Sequence, residues 1–128
     1  MLDTNTVSHL IKGHQAVARR VVGVPMAVLC VSAMTKGELL FGLARRPDAK
    51  RLHLAVWEFL HRVDVLPWDS AVAEYYGTVR ASLAHQGKTL APLDLLIATH
   101  ALNMGAVLVT NDQAFAQVAN LDVEDWTN

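Results

Sequence analysis

The sequence is poor in cysteine and has no long apolar run. Its one cysteine, Cys30, lies within the apolar stretch Ala27–Val31, where a lone thiol behaves as a small core side chain. A disulfide-stabilised fold is therefore excluded, which fits the reducing cytoplasm. No apolar run approaches the roughly 18 residues that cross a bilayer, and Asp3 stands where a signal peptide carries positive charge. We therefore expect a cytoplasmic protein with no membrane association.

The length of the chain sets the expected domain organisation. A chain of 128 residues, of which 52% are hydrophobic, corresponds to one domain, so we expect a single domain over residues 1–128. A domain of this size buries roughly two-thirds of the surface that its unfolded chain exposes. Neither disulfides nor a structural metal is needed to stabilise such a core.

Basic residues are scarce in the second half of the chain. Residues 63–128 contain only Arg80 and Lys88 against eight Asp and Glu, a formal charge of −6. Residues 1–62 contain nine Lys and Arg against four Asp and Glu, a formal charge of +5. This asymmetry is compatible with one surface that attracts a polyanion and another that repels it or holds a cation. Solvated charges on amphipathic helices produce the same asymmetry, so the charges alone leave both interpretations open.

Short apolar runs alternate with longer segments of helical periodicity. The predicted strands are Ala27–Val31, Val63–Leu66 and Ala106–Val109. The predicted helices are Ala33–Arg45, Asp48–Arg62, Ser70–Gln86 and Leu93–Met104. We expect Ser70 to cap one helix and Gly105 to end another in the left-handed conformation. Because parallel strands need long crossovers, the alternation predicts a three-layer α/β domain with helices on both faces of a parallel sheet.

Acidic residues follow the predicted strands or begin the helices after them. The four are, in chain order, Asp3, Glu38, Asp94 and Asp112. Asp3 and Asp112 come just after apolar strand residues, and Asp94 interrupts an otherwise apolar stretch. In an open parallel sheet the functional crevice lies beyond the carboxyl ends of the strands. We therefore expect the four carboxylates to converge on one edge of the sheet.

Each of these acids also has a purely local explanation. Asp3 is placed to cap the helix that follows it, and Thr35 with Glu38 has the spacing of a capping box. Asp94 in a first helical turn is favoured by the helix dipole, and Asp112 fits a turn that closes a strand. Capping alone does not explain two acids at strand ends together with a charge inside an apolar run.

Grouped carboxylates indicate a divalent cation. Carboxylates that lie close together repel one another and bind protons unless a cation neutralises them. Carboxylate oxygens are hard ligands, and the six histidines are scattered without a metal-binding spacing. The pattern therefore predicts Mg²⁺ or Mn²⁺ and argues against zinc.

The chain resembles a known family at four internal segments and at its end. The internal segments are Leu2-Asp3-Thr4-Asn5-Thr6, Ser32-Ala33-Met34-Thr35-Lys36-Gly37-Glu38-Leu39, Pro92-Leu93-Asp94-Leu95-Leu96-Ile97-Ala98 and Leu108-Val109-Thr110-Asn111-Asp112. The final segment is Leu121-x-Val123-Glu124-Asp125-Trp126. In order and spacing they are similar to the motifs of PIN-domain ribonucleases, specifically the VapC-type toxins of bacterial toxin–antitoxin pairs. The resemblance implies a PIN-like domain whose central parallel sheet has about four to five strands flanked by helices.

The resemblance also implies an active site and a reaction. The acidic quartet that holds one or two divalent ions corresponds to Asp3, Glu38, Asp94 and Asp112, and the polar residues that orient it correspond to Asn5, Thr110 and Asn111. The implied reaction is hydrolysis of RNA phosphodiester bonds assisted by Mg²⁺ or Mn²⁺. Two features depart from the family pattern. The strand before Asp3 is normally longer, and many relatives have Asn where Asp112 stands.

Partners follow from the same resemblance. It implies a homodimer, a VapB-like antitoxin partner and an RNA substrate, with tRNA or another structured RNA as the expected target and inhibition of translation and growth as the result. The basic residues that we expect to contact the RNA backbone are Arg19, Arg20, Lys36, Arg45, Arg46, Lys50 and Arg51.

Two alternative functions remain open at the level of sequence. Asp3-Thr4-Asn5-Thr6 also resembles the D-x-D-x-T opening of haloacid-dehalogenase-type phosphatases, but Asn5 stands where that family has its general acid, and an amide cannot transfer the proton. The second alternative is a PIN-fold module that binds its partner without catalysis.

Overall fold

The computed structural model describes residues 1–128 and contains six α-helices, two 3-10 helices and four short strands. The helices are α1 (Thr4–Ile11), α2 (Gln15–Val22), α3 (Ala33–Ala44), α4 (Lys50–Arg62), α5 (Ser70–His85) and α6 (Pro92–Met104). The strands are β1 (Cys30–Ser32), β2 (Asp64–Leu66), β3 (Leu108–Val109) and β4 (Val123–Glu124). Single 3-10 turns occupy Met26–Val28 and Gln113–Gln117. None of the helices combines the length and the apolar character that crossing a membrane requires.

The sheet is smaller than the predicted four to five strands. β1 pairs in parallel with β2, and β3 pairs in parallel with β4, so the regular sheet consists of two separate pairs. Leu2 joins them, because its N–H donates to the carbonyl of Cys30 at 2.9 Å and it forms a parallel bridge with Val109. The parallel pairing agrees with the prediction, but the extent of the sheet does not.

The predicted strand that follows Pro25 is shorter than expected. The predicted strand Ala27–Val31 begins as a 3-10 turn over Met26–Val28, and Val28 is 64% exposed. Only the segment that ends at Ser32 reaches the core, where Val31 is fully buried. An apolar run of strand length therefore produces a three-residue strand, since half of it faces solvent.

The predicted helices begin and end within two residues of the observed ones, but one helix was not predicted and another has a different cap. α2 was not predicted from the sequence, because its cap is His14, whose Nδ1 accepts a hydrogen bond from the N–H of Val17 at 3.3 Å. α5 is capped by Asp69, whose carboxylate accepts from the N–H of Val72 at 3.2 Å, rather than by Ser70. Gly105 ends α6 with φ of 63°, in the left-handed conformation that was predicted.

The core places the carboxyl ends of β1 and β3 on either side of Leu2. The larger of two main apolar clusters is centred on Leu2, Val31 and Val109, and the second contains Phe115 and Ile97. α3 contacts α1, α4 and α6, so it lies between the helices that carry the other acidic residues. The polar residues that follow Leu2 and Val109 therefore begin at the edge of the buried core.

Candidate active site

Asp3 is held by the backbone around it. Its N–H donates to the carbonyl of Val109 at 3.0 Å, and its Oδ1 accepts from the N–H of Thr6 at 2.8 Å as the cap of α1. The hydroxyl of Thr6 donates to the same carbonyl of Val109 at 2.9 Å. Only 4% of Asp3 is exposed. Asp3 therefore does cap the helix, as its local explanation requires. Because the cap uses only Oδ1, Oδ2 is available to a further ligand.

Asp112 is positioned in a similar way by the turn after β3. The hydroxyl oxygen of Thr110, a buried residue, accepts from the N–H of Asp112 at 3.0 Å. The Oδ1 atom of Asp112 in turn accepts from the N–H of Ala114 at 2.9 Å and caps the 3-10 helix that follows. Asn111, between them, is exposed. This carboxylate also uses one oxygen in capping.

Asp94 differs from both, because no hydrogen bond within the chain stabilises its charge. It lies half-buried in the first turn of α6, between apolar residues. Burial raises the pKa of Asp94 above its ordinary value of 3.8, and the negative charges of Asp112 and Asp3 raise it further. Both of these acids therefore act on the charge of Asp94 through space.

Glu38 borders this region from α3. A cavity of about 210 Å³ is lined by Asp3, Thr4, Asn5, Glu38, Leu93, Asp94 and Ile97; we call it the acidic cavity. Glu38 is exposed and is not part of a capping box, because α3 is capped by Ser32, whose Oγ accepts from the N–H of Met34 at 3.1 Å. Thr35 lies fully buried inside the helix. The capping-box explanation is therefore excluded for Glu38.

The donor set of the acidic cavity fits a hard divalent cation. Its polar lining consists of carboxylate, amide and hydroxyl groups and contains no His or Cys. The carboxylates are not gathered into a closed cluster, since no three acidic, His or Cys side chains lie close enough together to hold an ion as they stand. A cation that entered this cavity would offset the repulsion that raises the pKa of Asp94.

One predicted RNA-binding residue lies beside the acidic cavity. A second cavity, of about 180 Å³, shares Thr4 and Glu38 with the acidic cavity and is also lined by Lys12 and Arg46. Its remaining wall is mainly apolar and includes Leu43. Arg46 therefore adjoins the carboxylates, as does Lys12, which the sequence analysis did not single out.

The other predicted RNA-binding residues lie in varied surroundings. Arg20 forms an ion pair of 2.9 Å with Glu124 and lies over the ring of Trp126, so its charge is paired within the chain. Lys36 lies over Trp57 and Arg45 lies over Phe41. The rest, Arg19 in the last turn of α2 and Lys50 and Arg51 in the first turn of α4, are exposed.

A buried polar pair joins the two helices that carry Glu38 and Asp94. The Nδ1 atom of His100 lies 2.7 Å from Oγ of Ser32, and both side chains are fully buried. Burial lowers the pKa of His100 below its ordinary value of 6.5, although the charge of Asp69 opposes this effect. The lowered pKa favours the neutral ring above pH 6.5, and a neutral ring with its proton on Nε2 would accept the hydroxyl hydrogen of Ser32 at Nδ1. The sequence analysis did not identify this pair, although a histidine inside an apolar helix was a usable signal.

The comparisons with known proteins define the class of this molecule. The PIN domain family model matches residues 1–121, and the chain belongs to the PIN domain family. This confirms the resemblance found in the sequence and confirms the PIN-like fold, with the smaller sheet described above. It also excludes the haloacid-dehalogenase-type phosphatase.

Within that family the chain belongs to the VapC ribonucleases. It is 40% identical to the tRNA(fMet)-specific endonuclease VapC of Shigella flexneri over 129 aligned residues, which cover 99% of this chain and 97% of the relative. It is 38% identical to the protein of the same name from Salmonella typhimurium, over 98% of this chain and 96% of the relative. The crystal structure of DNA-bound VapBC from Salmonella typhimurium superposes with a TM-score of 0.91 at 34% identity, over 98% of this chain and 96% of that one.

Proposed function

We propose that this chain is the toxin of a VapBC-type toxin–antitoxin pair and acts as an endoribonuclease that hydrolyses phosphodiester bonds in RNA. The observation that carries the proposal is the acidic cavity, which Asp3, Glu38 and Asp94 line together. Burial raises the pKa of Asp94 there, and the charges of Asp112 and Asp3 raise it further. Such an arrangement costs stability unless a cation is bound. Carboxyl groups whose pKa is shifted by burial and by neighbouring charges are typical of active sites.

The proposed substrate is tRNA or another structured RNA. The relatives from Shigella flexneri and Salmonella typhimurium are named tRNA(fMet)-specific endonucleases, which makes tRNA the first substrate to test. The basic first half of the chain suits a polyanion of this kind. Inhibition of translation and growth would follow from the loss of functional tRNA.

The proposed cofactor is Mg²⁺ or Mn²⁺. PIN-domain ribonucleases in general depend on a divalent metal. When bound, such an ion lowers the pKa of a coordinated water and stabilises charge on the scissile phosphate. Asp3 and Asp94 are the proposed direct ligands, Glu38 is proposed to act through a water molecule, and Asp112 to complete a second position.

The remaining polar residues of the site have proposed orienting roles. The hydroxyl of Thr110 accepts a hydrogen bond from the N–H of Asp112, and burial restricts the side chain of Thr110 to few orientations. Asn5 lines the acidic cavity and offers an amide to a phosphate oxygen or a bound water. Asn111 is exposed in the same turn as Asp112, and we propose that its amide group has the same role as that of Asn5.

The proposed partner is a VapB-like antitoxin. The Salmonella typhimurium structure with a TM-score of 0.91 is a VapBC complex, so a fold of this kind is known together with an antitoxin. We further propose that the chain is a single-domain, cytoplasmic protein that forms a homodimer.

The test is cleavage of RNA by the purified chain, free of antitoxin. Total tRNA is incubated with the protein in Mg²⁺ or Mn²⁺, with EDTA in one control and the Asp94→Asn variant in another. We expect discrete cuts that disappear in both controls. Intact RNA in every lane, from folded protein shown to bind the metal, would favour the module that binds its partner without catalysis.

A further inference from the structure

A cavity on the opposite face of α6 from the acidic cavity has no assigned role. It has a volume of about 480 Å³ and lies between the end of α5, the loop that follows it and the start of α6. Pockets that bind small molecules have volumes of roughly 300 to 1,000 Å³, so this one is large enough for a nucleotide. We call it the basic cavity, because Arg80 and Lys88 line it.

The charge of this cavity is opposite to that of the second half of the chain, which supplies its lining residues. Arg80 and Lys88 are the only basic residues in residues 63–128, which contain eight acidic ones, and both line this single cavity. No Asp or Glu lines it. The chain has one ion pair, between Arg20 and Glu124, so neither Arg80 nor Lys88 is neutralised by a carboxylate. Two unpaired cations that share one cavity favour an anionic ligand.

An aromatic side chain is fixed in the wall of the basic cavity. The hydroxyl of Tyr76 accepts a hydrogen bond from Arg80 at 3.1 Å. Its ring meets the ring of Trp68 edge to face, with centroids 6.0 Å apart, and the indole N–H of Trp68 donates to the carbonyl of Leu96 at 3.0 Å. Tyr76 is thus supported from α6 and offers an aromatic surface beside the two cations. Aromatic rings of this kind stack on unpaired bases of RNA.

The basic cavity adjoins the acidic cavity across the first turns of α6. Pro92 and Leu95 line the basic cavity, whereas Asp94 and Ile97 line the acidic one. Successive residues of a helix are about 100° apart around its axis, so the two cavities lie against different faces of the same turns. Pro92 and Leu95 are on the opposite side of α6 from Asp94, so an RNA strand whose scissile phosphate is at Asp94 reaches Lys88 and Arg80 by passing around the start of this helix.

We propose that the basic cavity binds a nucleotide of the RNA substrate that flanks the scissile phosphodiester. Arg80 and Lys88 contact its phosphate, and the ring of Tyr76 stacks on its base. The inference rests on the proposed function, because it takes RNA as the substrate. Its physical reason is that a cluster of carboxylates repels the phosphate backbone, so the strand needs cations on either side of the cleavage site.

The test measures RNA binding and cleavage in parallel. Binding of a short fluorescein-labelled single-stranded RNA is measured by anisotropy in EDTA over a range of salt concentrations, and cleavage of total tRNA is measured in Mn²⁺. The variants are Arg80→Gln, Lys88→Gln, the double variant and Tyr76→Leu. Arg62→Gln is the matched control, since Arg62 is an exposed base at the end of α4 and lines neither cavity.

We expect each single charge substitution to reduce the slope of log K against log salt concentration by about 0.7, where K is the association constant for the RNA. At 0.1 M salt this change corresponds to about a fivefold loss of affinity, and in the double variant to about a 25-fold loss. Lys88→Arg restores affinity, and Tyr76→Leu lowers it without changing the salt dependence. KM for tRNA rises by similar factors while kcat changes less.

Two outcomes overturn the inference and are distinguishable from failure of the proposed function. If wild-type protein cleaves tRNA but Arg80→Gln and Lys88→Gln match Arg62→Gln in affinity and salt dependence, the basic cavity is not an RNA subsite and the nuclease assignment stands. If the folded wild-type protein binds no RNA, the inference fails. If it binds RNA with the predicted losses but cleaves none, the proposed catalytic activity fails and the binding site stands.

Discussion

Asp3 and Asp94 line the same cavity, yet the chain holds them in opposite ways. Asp3 caps α1, with its Oδ1 2.8 Å from the N–H of Thr6. Asp94 has no hydrogen bond that stabilises its charge, and burial together with the charges of Asp112 and Asp3 raises its pKa. Asp3 therefore has a role in folding besides its place in the proposed site, whereas the raised pKa of Asp94 indicates that its charge opposes folding.

This difference follows from how each residue is positioned. Asp3 is placed by local geometry, since the backbone that leaves Leu2 is paired with Val109 and then turns into a helix. Asp94 is placed by the packing of α6, which the buried pair of Ser32 and His100 joins to α3. A local capping motif and a tertiary contact thus provide two ligands for one proposed cation.

The largest expected effect is common to both residues. Asp3→Asn and Asp94→Asn each remove one negative charge and keep the size of the side chain. If both carboxylates hold the catalytic ion, each substitution lowers the rate of tRNA cleavage on the order of a hundredfold or more, because metal stabilisation of the transition state is worth several kcal/mol. Gel assays in Mn²⁺ measure it. A variant at either position that cleaves within about threefold of wild type would remove that residue from the proposed ligand set.

The second effect concerns the packing that positions Asp94. His100→Ala removes a large buried side chain and leaves the hydroxyl of Ser32 without its partner, so we expect a loss of about 2 to 4 kcal/mol in the free energy of unfolding. Urea unfolding measures the loss. Mn²⁺ affinity is the second readout, and it should fall in His100→Ala although no metal ligand has changed. Unaltered Mn²⁺ affinity in the folded variant would show that this contact does not position Asp94.

The same histidine gives the fold a pH dependence. Because burial lowers the pKa of His100 in the folded chain, the unfolded chain takes up the proton first as the pH falls. This contribution to stability is complete above the ordinary pKa of 6.5 and is lost as the pH falls from there toward the folded value. Urea midpoints measured between pH 8 and about 5 should decrease. The decrease should be smaller in His100→Gln, and an equal decrease would assign it to other groups.

The third effect separates the structural role of Asp3 from its charge. Asp3→Ala removes the helix cap, for which we expect a loss of about 1 kcal/mol in the free energy of unfolding. Asn is as good a cap as Asp, so Asp3→Asn should stay within a few tenths of a kcal/mol of wild type. Equal stability of the Ala and Asn variants would mean that the cap contributes nothing measurable.

The smallest effect has the opposite sign. Without metal, Asp94→Asn removes the repulsion from Asp3 and Asp112, so it should raise the free energy of unfolding by less than about 1 kcal/mol, since a half-exposed carboxylate is screened by solvent. Because the folded pKa of Asp94 is raised, the penalty in wild type is present above that pKa and disappears as the pH falls toward 3.8. The advantage of Asp94→Asn should therefore vanish at acidic pH.

The sequence predicted the parts of the fold and site that local rules determine. The strand-end positions of Asp3 and Asp112, the left-handed end of α6 at Gly105 and most helices follow from periodicity and capping. The extent of the sheet did not follow, because nothing local shows that Val28 is exposed and that the strand begins only at Cys30. Such features depend on how distant segments pack.

Long-range polar contacts could not be predicted from the sequence either. The pairing of Arg20 with Glu124 joins residues 104 positions apart, and the contact of His100 with Ser32 joins residues 68 apart. The grouping of Arg80 and Lys88 in one cavity also depends on the tertiary fold. A list of basic residues therefore cannot show which charges are already paired and which are available to a ligand.

The most direct test of the account is a comparison of thermal unfolding of wild type and Asp94→Asn with and without Mn²⁺. In EDTA we expect the variant to be slightly more stable. At Mn²⁺ a hundredfold above its Kd, binding stabilises wild type by about 2.7 kcal/mol, and the variant, which lacks a charged ligand, gains much less. The order of stability therefore reverses. If Asp94→Asn remains the more stable protein at saturating Mn²⁺, the acidic cavity is not the site of a catalytic cation.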